Sequence, residues 1–403
     1  MARSTESVEQ NFDHNAPDFT ETMRDRLADL RQKCPVMHST AHDGFWVLSK
    51  HEDIVTALRD PGTYSSAKGI FIPRPVGQAV YGLPTESDEP DHSHYRRPLW
   101  KFLTPAAVRL YEPLVRRTVT ELINEIIESG KADALEDLAK PLPAQITGQF
   151  FGYTAAEGRR IFELISTLTA ESFGDKDQAR EAATELLALF QRSLDEARKN
   201  PGDDVSSAIV TYDVDGRTFS DQECLGLLRS SIGGALATTV AAIGYAVYLL
   251  WKYPEQRRLL VEDPDLSSSA VEEILRMESP VYAVGRTVLQ ETEVDGLVIE
   301  PNERALLVYD SANYDPDAFD EPEEFRIDRP NNTHLAFGMG IHRCLGQHLA
   351  RLEIRVVIEE LVRRIPEYRV VGEPKFSAVA GVLTPVDLHI EFEPGERVPL
   401  PEA

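Results

Sequence analysis

The chain has 403 residues, with 42 Lys and Arg against 67 Asp and Glu, for a formal net charge of -25 at pH 7. That balance excludes a nucleic-acid binder, which needs a basic surface to meet phosphate, while 42% hydrophobic and 27% charged residues describe an ordinary soluble chain with enough apolar material for one large domain or two. Cys34, Cys224 and Cys344 are odd in number and far apart, so a reducing, cytoplasmic setting is expected and a disulfide framework is not.

The N-terminal stretch MARSTESVEQNFDHNAP is polar and acidic, without the apolar run of a secretory signal. FWVLS, residues 45–49, predicts a strand, and HEDIVTALRD after it a helix. A loop-rich stretch from Gly62 to Pro90 carries Pro73, Pro75, Gly77, Gly82 and Pro84. It is too long for a passive connector. Arg74 within it reads as a solvated loop side chain. Helical patterns dominate from His92 to Arg276, and VRLYEPLVRRTVTELINEIIESG predicts one amphipathic helix closed by Gly130.

A central helix opens at a capping box, Ser220 with Glu223 three residues on. From Asp221 to Trp251 it would be about 45 Å long. No charge occurs in the 22 residues between Arg229 and Lys252. That run is long enough to test as a membrane span, but it is internal, rich in Gly, Ser and Thr, and lacks an aromatic belt or a basic flank. A buried helix is the expectation, with no membrane partner. Its middle, SIGGALATTV, is odd for a core helix, because each Gly costs roughly 1 kcal/mol against Ala. Either another segment packs very close there, or space is kept for something that is not protein.

Beyond Arg286, TEVDGLVIEPNERALLVY reads as a small sheet. A helix over 345–364 and a strand-rich tail to Glu393 follow. The fold expected is mainly α, a single domain over 1–403. Its helical part spans about 92–286 and 345–364, and its β-rich part about 30–65, 287–310 and 366–393.

The strongest local signal is FGMGIHRCLG, Phe337 to Gly346. Gly338 and Gly340 permit backbone angles and approaches that a Cβ forbids. Cys344 lies where a helix begins, and the positive helix end favours a thiolate. A thiolate held by glycines beneath a flat apolar group suits the proximal side of a haem iron. On the residues alone, an inert buried cysteine and a zinc site at His342, Cys344 and His348 stay open.

The pattern F-G-x-G-x-H-x-C-x-G resembles the haem-binding loop of the cytochrome P450 superfamily, of the bacterial, ferredoxin-dependent type. The resemblance implies a P450 fold with haem b buried between the central helix I and the Cys loop with helix L. Cys344 would then be the iron ligand, with Phe337 and Gly338 beside it. Glu273 and Arg276 in EILR match the family's E-x-x-R pair, and Arg329 matches the later Arg that braces the loop with them. His92, Arg96, Arg286 and His342 match the partners of the haem propionates. Thr238 and Thr239 fall where the family's helix I reads small-Gly-x-acid-Thr-Thr, so that small residues let the helix unwind locally and the Thr238 hydroxyl steers protons to dioxygen. Ala237 stands where the family has its acid.

Helical geometry puts Ser230, Ser231 and Gly234 on the face of Thr238, and Arg229 half a turn away, where an ion pair is expected. With Ala235, Ala237, Val281, Val284 and Val382 they form the expected substrate pocket. The segments KGIFIPRPVG, Phe162–Phe173 and AGVL add to it, and an apolar or amphipathic small molecule is expected.

The activity implied is haem-thiolate monooxygenation with dioxygen, by a monomer. NAD(P)H would supply electrons through a separate ferredoxin and ferredoxin reductase, since three cysteines cannot ligate a cluster. Arg97, Lys101, Arg343, Arg351 and Arg355 would make the basic docking patch. Desaturation or oxidative coupling at the same site, and a non-catalytic haem sensor or carrier, are the competing readings.

Overall fold

The structure is a computed structural model and describes residues 9–16, 18–74, 82–170, 175–379 and 381–401. Pro75 and Gly77 of the long loop, Phe173 and Ala380 lie outside the described residues.

Fourteen α-helices occur among the described residues: α1 Phe19–Lys33, α2 His51–Arg59, α3 Asp91–Trp100, α4 Pro105–Arg109, α5 Glu112–Ile126, α6 Pro141–Phe150, α7 Ala155–Ala170, α8 Lys176–Lys199, α9 Val205–Thr211, α10 Asp221–Lys252, α11 Pro254–Glu262, α12 Ser267–Met277, α13 Tyr309–Asn313 and α14 Gln347–Arg364. The strands are β1 Glu9–Gln10, β2 Val36–Ser39, β3 Phe45–Leu48, β4 Tyr64–Ser65, β5 Lys131–Asp133, β6 Asp213–Val214, β7 Arg217–Thr218, β8 Val284–Val288, β9 Thr292–Val294, β10 Leu297–Ile299, β11 Arg304–Leu307, β12 Tyr368–Val379 and β13 Val382–Phe392. The fold is thus mainly α with a smaller β-rich region.

The largest sheet has the order β1-β2-β3-β11-β8-β4. Register within it sets Ala305 opposite Arg286, which puts an arginine on a buried central strand. A second sheet, β12-β13-β5, recruits its third strand from the helical part. That strand is reached through Gly130, whose φ of +69 and approach to the Phe392 carbonyl would put a Cβ only 2.9 Å from that oxygen.

Several expected boundaries move. The helix expected over 108–130 is two, α4 and α5, because Pro113 cannot donate to the Arg109 carbonyl and its ring clashes there. Strand β8 starts at Val284, inside the stretch expected to be helical, and β5, β6 and β7 lie there too. Helix α2 interrupts the 30–65 stretch, and the last helix begins at Gln347, two residues later than expected.

Helix α10 runs through the middle, against α6, α8, α12, α14 and β13. Its capping box is present, with Ser220 N donating to Glu223 Oε2 at 2.7 Å and Glu223 N to Ser220 Oγ at 3.3 Å. By length and composition it could cross a membrane, but 67% of its apolar window is buried inside this chain, as a core helix requires. Its glycines answer to different causes. At Gly244 a Cβ would press to 2.9 Å on Leu135 and 3.0 Å on Pro385, so another segment does pack close there. At Gly233 and Gly234 a Cβ would meet no heavy atom within 4 Å.

Candidate active site

The loop before α14 is shaped by two left-handed glycines, Gly338 (φ +62) and Gly340 (φ +69). Gly338 N donates to Leu335 O at 2.8 Å, and Cys344 N to Phe337 O at 2.8 Å. A side chain at Gly340 would collide with the Leu58 carbonyl at the end of α2. Gly340→Ala is therefore expected to displace the loop and reduce haem content of the purified protein several-fold, as read from the ratio of Soret to protein absorbance.

Cys344 is exposed on one side and enclosed by protein on the others. That enclosure raises its thiol pKa above the ordinary value; the N–H groups of Gly346 and Gln347 and the guanidiniums of Arg96 and Arg351 oppose the shift without overcoming it. The N–H groups at the start of α14 act on the sulfur in the expected direction, toward the thiolate.

Behind the loop lies a buried carboxylate. Glu273 and Arg276, both wholly buried, pair through two bonds of 2.8 Å, and Arg329 Nε reaches both Glu273 oxygens at 3.0 Å. Asn332 adds a bond of 2.9 Å and Arg326 N another of 2.9 Å. The structure brings these three predicted residues together. A parallel brace was not foreseen: Glu272 takes Arg351 in two bonds of 2.7 and 2.8 Å and His334 at 3.1 Å, while the Arg351 guanidinium lies 4.3 Å from the centre of the Phe337 ring. No signal in the sequence ties Glu272 to Arg351, which is 79 residues away.

The five cations expected to make a docking patch differ in their contacts. Arg351 is committed to Glu272, and Arg355 to Glu359 and Glu112 at 2.7 and 3.1 Å. Lys101 meets Asp203 at 3.2 Å in a fully surface pair, a contact of little energy. Arg97 and Arg343 are exposed and form no ion pair among the described residues.

On the other side of the loop four basic side chains converge. The His92 and His342 rings lie 4.3 Å apart, Arg96 donates to Arg343 O at 2.7 Å, and Arg286, buried on β8, donates to Gly285 O at 2.8 Å. Burial, then Arg286, His92 and Arg96, push the His342 pKa down to about 2. Both His342 ring nitrogens are buried without a hydrogen-bond partner among the described residues. Burying such groups unmet costs free energy, and no carboxylate among the described residues meets them. A group bearing acceptors or negative charge fits this cluster.

In the middle of α10 Ser231, Gly233, Gly234, Ala235, Ala237 and Thr238 are not buried, whereas Ile232, Leu236 and Thr239 are. The spacing i, i+3, i+4, i+7 puts Ser231, Gly234, Ala235 and Thr238 on one stripe. From Thr239 to Val247 the helix is buried all round. The helix does not unwind at the small residues: it is α-helical from Ser231 to Val240. Thr238 Oγ1 donates to Gly234 O at 2.7 Å, the back-bond to the preceding turn that helical threonines favour, which holds that turn closed. Thr239 is buried one position round the helix. Ser230 sits under the long loop, 3.3 Å from Thr85 Oγ1. Val281 and Val382 are joined by a β-bridge, and Val284 is buried in β8, so these pocket segments meet although about a hundred residues separate them.

The site combines a cysteine on a braced loop, a cluster of basic side chains with two orphaned ring nitrogens, and an uncovered helix stripe. Among the described residues no three His, Cys, Asp or Glu are grouped to hold a metal ion, so the zinc reading fails: His342, Cys344 and His348 do not form a ligand set. The sequence model of the family Cytochrome P450 matches residues 265–365, and the methyl-branched lipid omega-hydroxylase of Mycobacterium tuberculosis is 33% identical over 86% of this chain and 86% of that protein. The chain belongs to the cytochrome P450 family. The steroid C26-monooxygenase of Rhodococcus jostii is 28% identical over 92% of this P450 and 82% of its own length. A Mycobacterium marinum cytochrome P450 solved in complex with pseudoionone superposes with a TM-score of 0.88, at 26% identity, over 92% of this chain and 95% of that one. With relatives that are hydroxylases and monooxygenases, this P450 is an enzyme of that kind, and the sensor or carrier reading falls away. The family implies haem, and the residues fit it: Cys344 can face its iron, and His92, Arg96, Arg286 and His342 can meet its two carboxylates.

Proposed function

We propose that this P450 hydroxylates a lipid-like, largely apolar substrate held along the unburied stripe of α10. The observation that carries the reading is the stripe itself, Ser231, Gly234, Ala235 and Thr238, small or hydroxylic positions left uncovered just before a stretch of the helix, Thr239 to Val247, that is buried all round. The lipid and steroid relatives support an extended, apolar substrate class. Haem, when bound, supplies dioxygen activation at an iron made electron-rich by its thiolate ligand. Cys344 holds it from the loop side, Phe337 and Gly338 shape the surface beneath it, and Glu273, Arg276 and Arg329 keep that loop in place.

Thr238 holds a proton at Oγ1 and can turn it from Gly234 O toward the open side. Ala237 brings no carboxylate to this step, so the protons reach Thr238 through water and through Ser231 on the same stripe. Val281, Val284 and Val382 exclude water from the substrate side. Electrons come from NAD(P)H through a ferredoxin and its reductase, with Arg97 and Arg343 as the contact cations. The whole chain acts as one domain, a cytoplasmic monomer.

The test is reconstitution with an acidic ferredoxin and its reductase. Thr238→Ala is expected to lower product formed per NADPH consumed by several-fold while NADPH oxidation continues, and Arg343→Glu to slow reduction about tenfold at low salt. Unchanged coupling in the first, or unchanged reduction in the second, would remove that residue's role. Mass analysis of the product separates hydroxylation from desaturation or coupling.

A further inference from the structure

The stretch from Lys68 to Ile72, expected to border the substrate, belongs to no helix or strand. Yet all five of its carbonyls meet a donor. Arg304 on β11 donates to Lys68 O at 3.0 Å, to Gly69 O at 2.8 Å and to Phe71 O at 3.2 Å. Gly285 N on β8 donates to Ile70 O at 2.6 Å. Asn15 Nδ2, from the segment before α1, donates to Ile72 O at 3.0 Å. Lys68 Nζ adds a bond of 2.9 Å to Asn302 Oδ1, in the turn that leads into β11.

A connecting loop normally runs over the surface, where water can meet its carbonyls. Here the donors come from three separate parts of the chain, so the fold and not the local sequence sets the path of this backbone. The chain lies beside β8 at Ser65, paired with Thr287, swings out through Gly69 (φ +96) and returns to the same strand at Ile70. The return is tight: a Cβ on Gly285 would lie 2.8 Å from Arg304 Nη2 and 3.0 Å from Ile72 Cγ1. One guanidinium can hold three carbonyls because its planar fork presents several N–H groups in fixed directions. Its charge makes each bond stronger than one from a neutral donor.

The backbone held in this way carries apolar side chains that the core does not cover. Ile72 is buried, but Ile70 and Phe71 are only half-buried. All three line a small cavity together with Asn15, Ala283 and Gly381. Ala283 precedes Val284, and Gly381 precedes Val382, whose bridge to Val281 joins two of the expected pocket segments. Gly285, which anchors Ile70, stands between Val284 and Arg286 on β8. The clamped stretch and the pocket valines therefore belong to one wall.

We propose that Arg304 and Asn15 are positioning residues for the substrate: by fixing the backbone of Ile70 and Phe71 they make a rigid apolar wall that holds the tail of an extended molecule along one path. This rests on the hydroxylase reading above and adds two residues that act on substrate without touching the reacting atoms.

The test uses the full-length protein and two probes that ligate haem iron, imidazole and 1-dodecylimidazole. The first is too small to need the wall, and the tail of the second must lie along it. Affinities are read from the Soret shift. The wild-type protein is expected to bind the long probe at least about a hundredfold tighter than the short one. Arg304→Gln should cut that tail advantage about tenfold and Asn15→Ala about threefold, with imidazole affinity held within about twofold in both. Arg304→Lys, which keeps a charged donor with fewer N–H groups, should restore part of it. A tail advantage that is absent in the wild type, or unchanged in Arg304→Gln, overturns the proposal, and so does an equal loss for both probes, which is what general damage to the site would give. Amide hydrogen exchange at Gly69 to Phe71 in the haem-free chain is the second measurement: both variants should speed it by at least about tenfold, and unchanged exchange overturns the clamp. The reduced carbon monoxide spectrum keeps the two readings apart. A wild-type protein without a thiolate signature sinks the hydroxylase reading, while amide exchange still decides whether Arg304 and Asn15 fix the loop. Should Arg304→Gln not fold, Asn15→Ala, which removes one half-buried donor, decides by the same two measurements.

Discussion

Cys344→Ala is expected to leave a folded chain whose product formation falls to background and whose reduced carbon monoxide spectrum loses the thiolate signature. The reasoning separates stability from chemistry. Cys344 is exposed on one side, and its loop is held by the Cys344 N bond to Phe337 O, by Gly338 and by the Glu273 and Glu272 braces, none of which needs the sulfur. Removing an exposed side chain away from such features typically shifts stability by about 0.5 kcal/mol or less. The sulfur is nonetheless the group that the family's haem iron would take, and no group of three His, Cys, Asp or Glu offers another metal site among the described residues. Cys34→Ala and Cys224→Ala are the controls. Both cysteines are buried, so these variants lose some stability but keep the spectrum. A Cys344→Ala protein that retains the thiolate signature would disprove the assignment.

How much of this could be read from residues alone depended on how local each feature is. The Cys loop was legible because its geometry is made within ten residues, by two left-handed glycines and one helix start. The capping box at Ser220 was legible for the same reason. Glu273 and Arg276 are one turn apart, but that Arg329 completes their cluster came only through the resemblance, and Asn332 was not foreseen. The ion pairs of the expected docking arginines were not legible, because a list of charges does not show that Glu272 faces Arg351 or that Glu112 faces Arg355. Pro113 could have been read as a helix break, since its clash with the residue four before it is a rule of the chain itself. The glycines of α10 show the limit most directly: Gly233, Gly234 and Gly244 are alike in sequence, yet one permits a crossing at Leu135 and Pro385 and the other two border open space.

Glu273→Leu is expected to destabilise the fold by about 3–5 kcal/mol, a large part of the roughly 5–15 kcal/mol that holds a typical domain together. The carboxylate is wholly buried, and two guanidiniums depend on it: Arg276, also wholly buried, and Arg329, whose side chain is 4% exposed. Their remaining acceptors are uncharged: the Met277 sulfur and the backbone carbonyls of Asn313, Pro322 and Glu324 for Arg276, and the carbonyls of Asp320, Glu321 and Glu324 for Arg329. Carbonyls satisfy N–H groups but bring no charge, so the variant leaves two buried cations without a counter-ion. Denaturant midpoints of the haem-free and haem-bound proteins check the size of the effect, and haem loss to an apo-globin acceptor checks its consequence for the site. Glu273→Gln, which keeps an acceptor and the shape, should fall between wild type and Leu.

Acid should imitate the variant. Burial alone would raise the Glu273 pKa, but Arg276, the Arg326 N–H and Arg329 hold it below the ordinary carboxylate range. A carboxylate depressed on folding contributes fully above its unfolded pKa and loses that contribution as pH falls through the folded value. Wild-type stability should therefore drop more steeply than that of Glu273→Leu as pH goes below the ordinary carboxylate range, until the two curves converge. Parallel curves throughout that window would mean that Glu273 is not the ion on which Arg276 and Arg329 rely.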